Sequence, residues 1–234
     1  GSHKVGCLTV PASSGNTDRQ IMFIQDLQAT ILCCTPSYAA YLGESMKELG
    51  LTPDQIPLKA GIFGAEPWTE EMRRGIEETL GIKAYDIYGL TETSGPGVAF
   101  ECSEQSGMHV NEDHFYAEVI DSVSGQVLPK GSQGELVITT LLKEGAPLIR
   151  YRTHDLSRII TGDCECGCKY PRIDTIMGRT DDMLIIRGVN VFPSQIEEVI
   201  LSVEELGPHY EIILEREGYL DKLTVKVELA KLTD

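Results

Sequence analysis

The apolar positions change period three times along the chain. Residues 19 to 32 place Ile21, Ile24, Leu27, Ile31 and Leu32 at near-helical spacing, which predicts a helix with one buried face. Cys33, Cys34, Thr35 and Pro36 break that pattern: Thr35 can cap a new helix with Pro36 at its first position, and Gly50 supplies its stop. The adjacent Cys33 and Cys34 read as small core residues. A short buried strand is predicted at Leu58 to Phe63. A third helix follows, capped by Thr69, with Glu70 and Glu71 in its first turn, Met72, Ile76 and Leu80 on its apolar face and Gly81 at its end. The run Lys83 to Tyr88 is the next strand. Strand, helix and strand joined by a right-handed crossover put both strand ends on one edge of a parallel sheet, where open α/β sheets bind ligands.

After residue 100 the pattern shifts to strands. Phe115 to Asp121, a Ser-Gly turn and Gly134 to Thr140 predict an antiparallel β-rich subdomain. Near Met177 it changes again. Met183 to Arg187 reads as a strand, and Ser194 with Glu197 as a capping box opening a helix with Ile196, Val199, Ile200 and Val203 inward. Leu223, Val225, Val227 and Leu229 alternate with polar residues as a half-buried strand. The expected fold class is α/β: a parallel-sheet β-α-β subdomain over 1–100, a β-rich subdomain over 101–178, a hinge at 179–182, and a small, incomplete α+β domain over 183–234.

The composition suits one or two soluble globular domains: 234 residues, 41% of them apolar, with 20 Lys and Arg against 36 Asp and Glu for a net charge of −16. No run approaches the roughly 18 apolar residues of a membrane span. A charged segment followed by an apolar one is missing from the start, so secretion is not indicated and a cytoplasmic protein is expected. Gly1, Ser2 and His3 read as a vector remnant. The acidity disfavours nucleic acid or an anionic membrane as partner. It also runs against binding a polyanion, but the charge is uneven. Residues 143–187 hold eight Lys or Arg against seven Asp or Glu, so this segment carries +1 and the remainder −17. An anion site is expected there. Ser13, Ser14, Gly15, Asn16 and Thr17 superficially match a phosphate-cradling loop but lack its further Gly and Lys, and read instead as a loop capping the first helix.

The chemistry concentrates in three stretches and a group of thiols. In Asp86 to Thr93, Gly89 lets the backbone turn sharply and lie close to a ligand, because it has no Cβ to clash. Around it Tyr88 offers an aromatic face, Thr91 a hydroxyl for a phosphate oxygen and Glu92 a carboxylate for a hard cation such as Mg²⁺. The octet alone also fits an ordinary turn. In Tyr151 to Asp155, a carboxylate projecting from a loop can accept both hydroxyls of a ribose, and a surface Arg-Asp pair is the alternative. In Gly178 to Gly188, Arg179 offers five donors, and paired acids between glycines suit a pivot between rigid bodies. Seven cysteines form an odd set without a disulfide framework. Cys102, His109, Cys164 and Cys166 are the expected zinc ligands, with Cys168 as the alternate fourth, and free thiols in a Gly-rich turn are the competing reading.

Taken in order, Tyr88 to Glu92, Tyr151 to Asp155, and Gly178 to Asp182 with Arg187 and Gly188 resemble the signatures of the acyl-adenylate-forming acyl-CoA synthetases. Gly64 to Trp68, His109 to His114 and Cys164 to Gly167 look like the phenylacetate-CoA ligase branch of that family, and the resemblance runs from about residue 5 to the end. It implies that residues 1–100 are the second half of an AMP-binding subdomain. It also implies an adenine pocket lined by Gly64, Ala65, Glu66, Pro67, Asp86, Ile87 and Tyr88. Thr91 would contact the α-phosphate, Glu92 would hold Mg²⁺, and Asp155 and Arg179 would bind the ribose. Asp181 would be the hinge between adenylation and thioester formation, and Gly188 would lie near the pantetheine tunnel. The implied substrates are an aromatic carboxylic acid, ATP and coenzyme A. The family's phosphate loop lies upstream, its adenylation lysine lies beyond Asp234, and Lys222, Lys226 and Lys231 lack the expected Gly-Lys context. The implied outcome is a ligase fragment with little activity alone. A zinc-stapled nucleotide-binding module and a ligase for another aromatic acid are the runners-up. The sequence leaves the acid and a homodimeric state undetermined.

Overall fold

A computed structural model of the chain describes residues 1–13, 16–180, 184–186, 189–217 and 220–230. Helix α1 (Thr17–Asp26) is capped by Asn16, whose side chain accepts from the Arg19 N–H at 3.0 Å. It stops earlier than its apolar spacing predicts. Gln28 takes a left-handed conformation (φ 50°), and Ile31 to Cys34 become strand β1 (Ile31–Cys34). The run fits both periods, and pairing with a neighbouring strand decides for the sheet. This overturns the core reading of Cys33, which is exposed, while Cys34 is half-buried.

Helix α2 (Pro36–Glu48) starts as expected: the Thr35 hydroxyl accepts from the Tyr38 N–H at 3.4 Å, and Gly50 follows its end at φ 76°. Strand β2 (Ala60–Gly64), helix α3 (Glu70–Leu80) and strand β3 (Lys83–Leu90) form the β-α-β unit, with β1, β2 and β3 mutually parallel. Thr69 caps α3 through the Met72 N–H at 3.2 Å, and Gly81 at φ 67° ends it. Leu42, Phe63, Ile76 and Leu80 lock the helices onto this half of the sheet.

The remaining strands are β4 (Gly95–Glu101), β5 (Met108–Val110), β6 (Phe115–Ile120), β7 (Gln133–Thr140), β8 (Tyr151–Ile160) and β9 (Arg172–Ile173). Together they extend the parallel strands into one nine-stranded sheet of order β1-β2-β3-β4-β5-β9-β8-β7-β6. The sheet does not break at residue 100, because β4 crosses it and bonds to both β3 and β5. A second core of Val98, Met108, Leu136, Ile138 and Ile173 underlies this antiparallel half.

The C-terminal part pairs β10 (Leu184–Ile186) with β11 (Val189–Val191), continues through helix α4 (Pro193–Leu201), and closes with the antiparallel pair β12 (Leu206–Glu217) and β13 (Leu220–Leu229). The helix opens differently from the capping box predicted. The Gln195 side chain accepts from the Phe192 N–H at 3.4 Å, and Ser194 instead donates to the Met177 carbonyl at 3.4 Å. Ile200 is buried, but Val199 is 65% exposed and so lies on the outer face. The alternation at Leu223 to Leu229 is β13, while β12, its partner, went unpredicted. Among the described residues no helix is long and apolar enough to cross a membrane.

Candidate functional site

A cavity of about 340 Å³ opens where the parallel strands end. Beyond β2, Ala65, Glu66 and Pro67 form one wall, with Ala65 held at φ 70°, a conformation costly for a residue with a Cβ. Asp86, Ile87, Tyr88 and Gly89 of β3 form the floor, Asp155 of β8 and Gly178 and Arg179 the opposite wall, and Pro193 and Ser194 at the start of α4 the rim.

Backbone pairing brings the distant residues together. Residues 177–180 lie along β8: the Met177 N–H reaches the Leu156 carbonyl at 2.9 Å, the Leu156 N–H reaches Gly178 at 2.8 Å, and the Thr180 N–H reaches His154 at 2.7 Å. That register sets Arg179 opposite Asp155 as an antiparallel bridge, and its Nη1 donates to Asp155 Oδ1 at 2.9 Å. From β3 the Tyr88 hydroxyl donates to Asp155 Oδ2 at 2.6 Å. Asp155 stands on a strand, not on the loop expected from the sequence, and is 5% exposed. The surface-pair reading fails too, because Arg152 pairs with Glu135 on another side of β8.

The other expected residues fall as follows. Gly89 makes no sharp turn. It sits inside β3 at a bulge, where a Cβ would lie 2.5 Å from the Gly95 carbonyl oxygen, so its smallness serves the approach of β4 as well as the cavity. Gly64 lies outside the lining, and a Cβ there would meet the Ile87 oxygen at 2.2 Å. Thr91 and Glu92 form a single exposed 3₁₀ turn beyond Leu90, just past the cavity, where Lys143 donates to the Glu92 carbonyl. Asp181 and Gly188 lie outside the described residues.

The cavity is acidic: Glu66, Asp86 and Asp155 line it against the single cation Arg179 among its described residues. Such a wall suits a ligand's hydrogen-bond donors better than its phosphates. Burial pushes the Asp86 carboxyl up to about 6, with the Glu101 charge pushing the same way and Trp68 and Arg73 opposing. Burial also raises the Tyr88 phenol, and the Asp155 charge adds to it, so the hydroxyl keeps its proton and its role as donor.

At the far end of β4 a second constellation forms. Cys102 follows the strand, His109 lies on β5, and Cys164 and Cys166 come from the β8-β9 loop; their donor atoms all lie within 4.8 Å of one another. Cys102 Sγ is 3.6 Å from Cys164 Sγ, and Cys166 Sγ is 3.4 Å from His109 Nε2. His109 is 1% exposed and sets its Nδ1 3.3 Å from the Tyr170 carbonyl, which leaves Nε2 facing the sulfurs. Cys168 gives its backbone N–H to Cys166 Sγ at 3.4 Å rather than its thiol to the group. The Cys166 N–H, with the neighbouring thiols and His109, lowers the Cys164 thiol to about 7.

Comparison with known proteins gives this geometry its context. The AMP-binding enzyme family matches residues 3–141, and the AMP-binding enzyme C-terminal domain matches residues 188–234. The chain belongs to the AMP-binding enzyme family. A phenylacetate-coenzyme A ligase from Thermus thermophilus is 49% identical over 99% of this chain and 52% of its own length. The chain thus spans about half the length of the curated relatives it matches. A 2-hydroxyisobutyryl-CoA ligase in the postadenylation state with R3-HIB-AMP superposes with TM-score 0.86 at 31% identity, covering 93% of this chain and 48% of that one. The same ligase in the thioesterification state, with 2-HIB-AMP and CoA, superposes at 0.71, with 31% identity over 94% of this chain and 48% of that one.

The motifs carried the sequence reading to Tyr88, Asp155 and Arg179, but not to the supports beneath them. Arg73 and Glu101 went unremarked, and Trp68 was named only as the end of the Gly64 to Trp68 motif. Arg73 was detectable: three residues before Ile76 and seven before Leu80, it is a charge on the apolar face of α3, and it is 5% exposed. Glu101 carried no such signal.

Proposed function

We propose that this stretch is the nucleotide-binding face of an AMP-forming aryl-acid CoA ligase. In the whole protein, ATP would activate phenylacetate or another aromatic acid as an acyl-adenylate with release of diphosphate, and coenzyme A would then displace AMP to give the thioester. The observation that carries this reading is the convergence of Tyr88, Asp155 and Arg179 on one cavity whose other end holds Ala65 to Pro67 and Asp86. Asp155, held from both sides, accepts hydrogen bonds from the vicinal ribose hydroxyls. The base lies between the wall at Ala65 to Pro67 and the β3 floor, and the excess of carboxylates is tolerable because base and ribose carry no negative charge. Thr91 and Glu92, one turn beyond, would meet the α-phosphate and Mg²⁺ where the nucleotide leaves the cavity. The hinge role of Asp181 and the placing of Gly188 by the pantetheine tunnel belong to the same proposal, as do a cytoplasmic setting and a homodimer through the outermost strands β1 and β6.

Titration with AMP and with a non-hydrolysable phenylacetyl-adenylate analogue tests the reading. Both should bind, the analogue more tightly; no binding of either would sink it. Turnover needs several cations around the phosphates, and among the described lining residues Arg179 is the single one. We therefore expect binding without catalysis from these 234 residues. Phenylacetyl-CoA formation by them at family-like rates would overturn that expectation.

The thiol cluster belongs to the same proposal as a structural zinc site. A tetrahedron with metal–sulfur bonds of about 2.3 Å and metal–nitrogen bonds of about 2.0 Å has edges of about 3.8 Å between sulfurs and about 3.5 Å between sulfur and nitrogen. The separations of 3.6 Å and 3.4 Å match two of its six edges, and the four donor atoms all lie within 4.8 Å of one another. Cys102, His109, Cys164 and Cys166 would close it, tying the β4-β5 connection to the β8-β9 loop and leaving no position for substrate. Elemental analysis after purification without chelator should find one zinc per chain, and a value far below one would count decisively against the site.

A further inference from the structure

Among the described residues, two buried glutamates are each held by two nitrogens of one arginine, and they stand in different places. Glu101 is the last residue of β4. Arg73 of α3 grips it at 2.7 and 2.9 Å, and it accepts the Asp86 N–H at 2.7 Å, closing a ladder that stops there. Glu135 stands inside a ladder and is 0% exposed. The β7-β8 pairing skips beside it: Glu135 lies opposite Leu156 and Val137 opposite Arg152, so Leu136 alone faces Thr153, His154 and Asp155. The extra residues make a bulge in β8. At its centre His154 has φ 64°, a left-handed conformation that a residue with a Cβ keeps only where its surroundings impose it.

The surroundings are on the page. The Glu135 carboxylate accepts from Arg152 Nε at 2.9 Å and from Arg152 Nη2, and lies 3.5 Å from the His154 ring Nδ1. Burial by itself would raise the Glu135 carboxyl, but Arg152, with His154 adding to it, lowers it below its ordinary value, so it stays charged. The Thr153 hydroxyl donates to the Leu136 carbonyl at 2.8 Å and accepts the Asp155 N–H at 3.1 Å. The His154 carbonyl accepts the Thr180 N–H at 2.7 Å, and its ring meets the Thr180 hydroxyl at 3.1 Å.

A buried ion pair is poor evidence for stability, since well-packed apolar residues of similar volume often do as well or better. An apolar pair could join β7 to β8, but it could not hold the bulge. Without a carboxylate between Arg152 and His154 the strained backbone relaxes, and two site groups move with it. Asp155 is the next residue, and Arg179 lies on a segment hung from β8 through His154 and Leu156.

We propose that Glu135 is a positioning residue: by holding the β8 bulge it aims the Asp155 carboxylate at the ribose hydroxyls and keeps Arg179 beside it. Glu135 itself does not line the cavity. The inference deepens the nucleotide reading and rests on it. A carboxylate that merely joined two strands would, once neutralised, weaken every nucleotide alike; one that aims Asp155 changes the preference for an intact ribose.

The test is calorimetric titration of the 234-residue chain with AMP and with 2′,3′-dideoxyadenosine 5′-monophosphate. The wild type should prefer AMP by about 10-fold or more, the scale of one hydrogen bond to a charged group. Glu135→Gln keeps the side-chain shape and removes the charge. It should cut the preference to about 3-fold or less by weakening AMP, with the dideoxy nucleotide held within about twofold. If it fails to fold by circular dichroism, Arg152→Lys carries the same expectation, since it changes a half-exposed side chain, keeps the charge and loses the fork. Folded variants that keep the wild-type ratio, or that lose both nucleotides equally, would overturn the proposal. So would a wild type that binds both equally. A wild type that binds neither removes the nucleotide reading itself, and the role of Glu135 with it.

Discussion

The two ends of strand β4 present opposite solutions to holding polar groups inside a protein. At Cys102 four donors face one another within 4.8 Å, a closed set that a single ion would complete. At Gly95 the strand packs against Gly89 beside an open cavity, whose carboxylates and guanidinium come from the segment beyond β2, from β3 and β8, and from the segment after Met177. The closed end turns its donors inward on one another and leaves no space between them for a substrate. The open end holds its groups by their outer sides and turns them toward a space, which is what binding requires.

The largest expected effect tests whether the two ends are independent. If the proposed zinc is bound, stripping it with a chelator, or Cys164→Ser, should cost about 4 kcal/mol, read as a fall in Tm of about 8–16 °C, while AMP affinity in the still-folded chain stays within about twofold. A parallel loss of AMP affinity would break the comparison by showing the ends coupled through β4.

Asp86→Asn should move stability and binding in opposite directions. The native carboxyl sits at about 6 against an ordinary 3.8, so the folded chain holds this proton more tightly than the unfolded one. Its stabilising contribution is therefore complete below about pH 4 and lost as pH rises through about 6. The variant should gain about 2–3 kcal/mol over wild type at pH 7 by urea unfolding, with the gap closing toward pH 4, while AMP binding weakens. A variant less stable at pH 7 would mean that the carboxylate is held for the fold, not for a ligand.

Asp155→Asn removes the charged acceptor from the ribose end and should weaken AMP by about 10- to 30-fold with little change in Tm, by calorimetry. The smallest effect is expected of Tyr88→Phe, about 5-fold in AMP affinity, because Arg179 still holds the carboxylate. If Tyr88→Phe costs more than Asp155→Asn, the phenol contacts the ligand itself and the account of the open end needs redrawing.

The β-α-β unit could be read before the structure because each boundary carried a local mark: Thr35 and Thr69 as caps, Pro36 at a first turn, Gly50 and Gly81 as stops. The run from Leu27 to Cys34 could not, since its apolar spacing fits helix and strand alike and the pairing with β2 chose. Nor could β12, whose pattern next to Pro208 and Gly218 gave no clean alternation. Among the site residues, Asp86, Tyr88 and Asp155 were named from their motifs, but the loop assigned to Asp155 proved to be strand, and the support of Asp86 by Arg73 and Glu101 went unseen.

By itself the sequence determined what its short-range chemistry specifies: helix ends, the parallel pair of strands, the thiols near one histidine, and motif residues in a family's order. Only the tertiary structure decided which of these meet. Residue 179 reaches residue 155 because a backbone register lays one segment along β8, and residue 73 reaches residue 101 because β4 ends there, leaving the first residues of β3 without it as a neighbour. Contacts across such separations depend on how whole elements pack, a free energy shared over many residues and written in none of them singly.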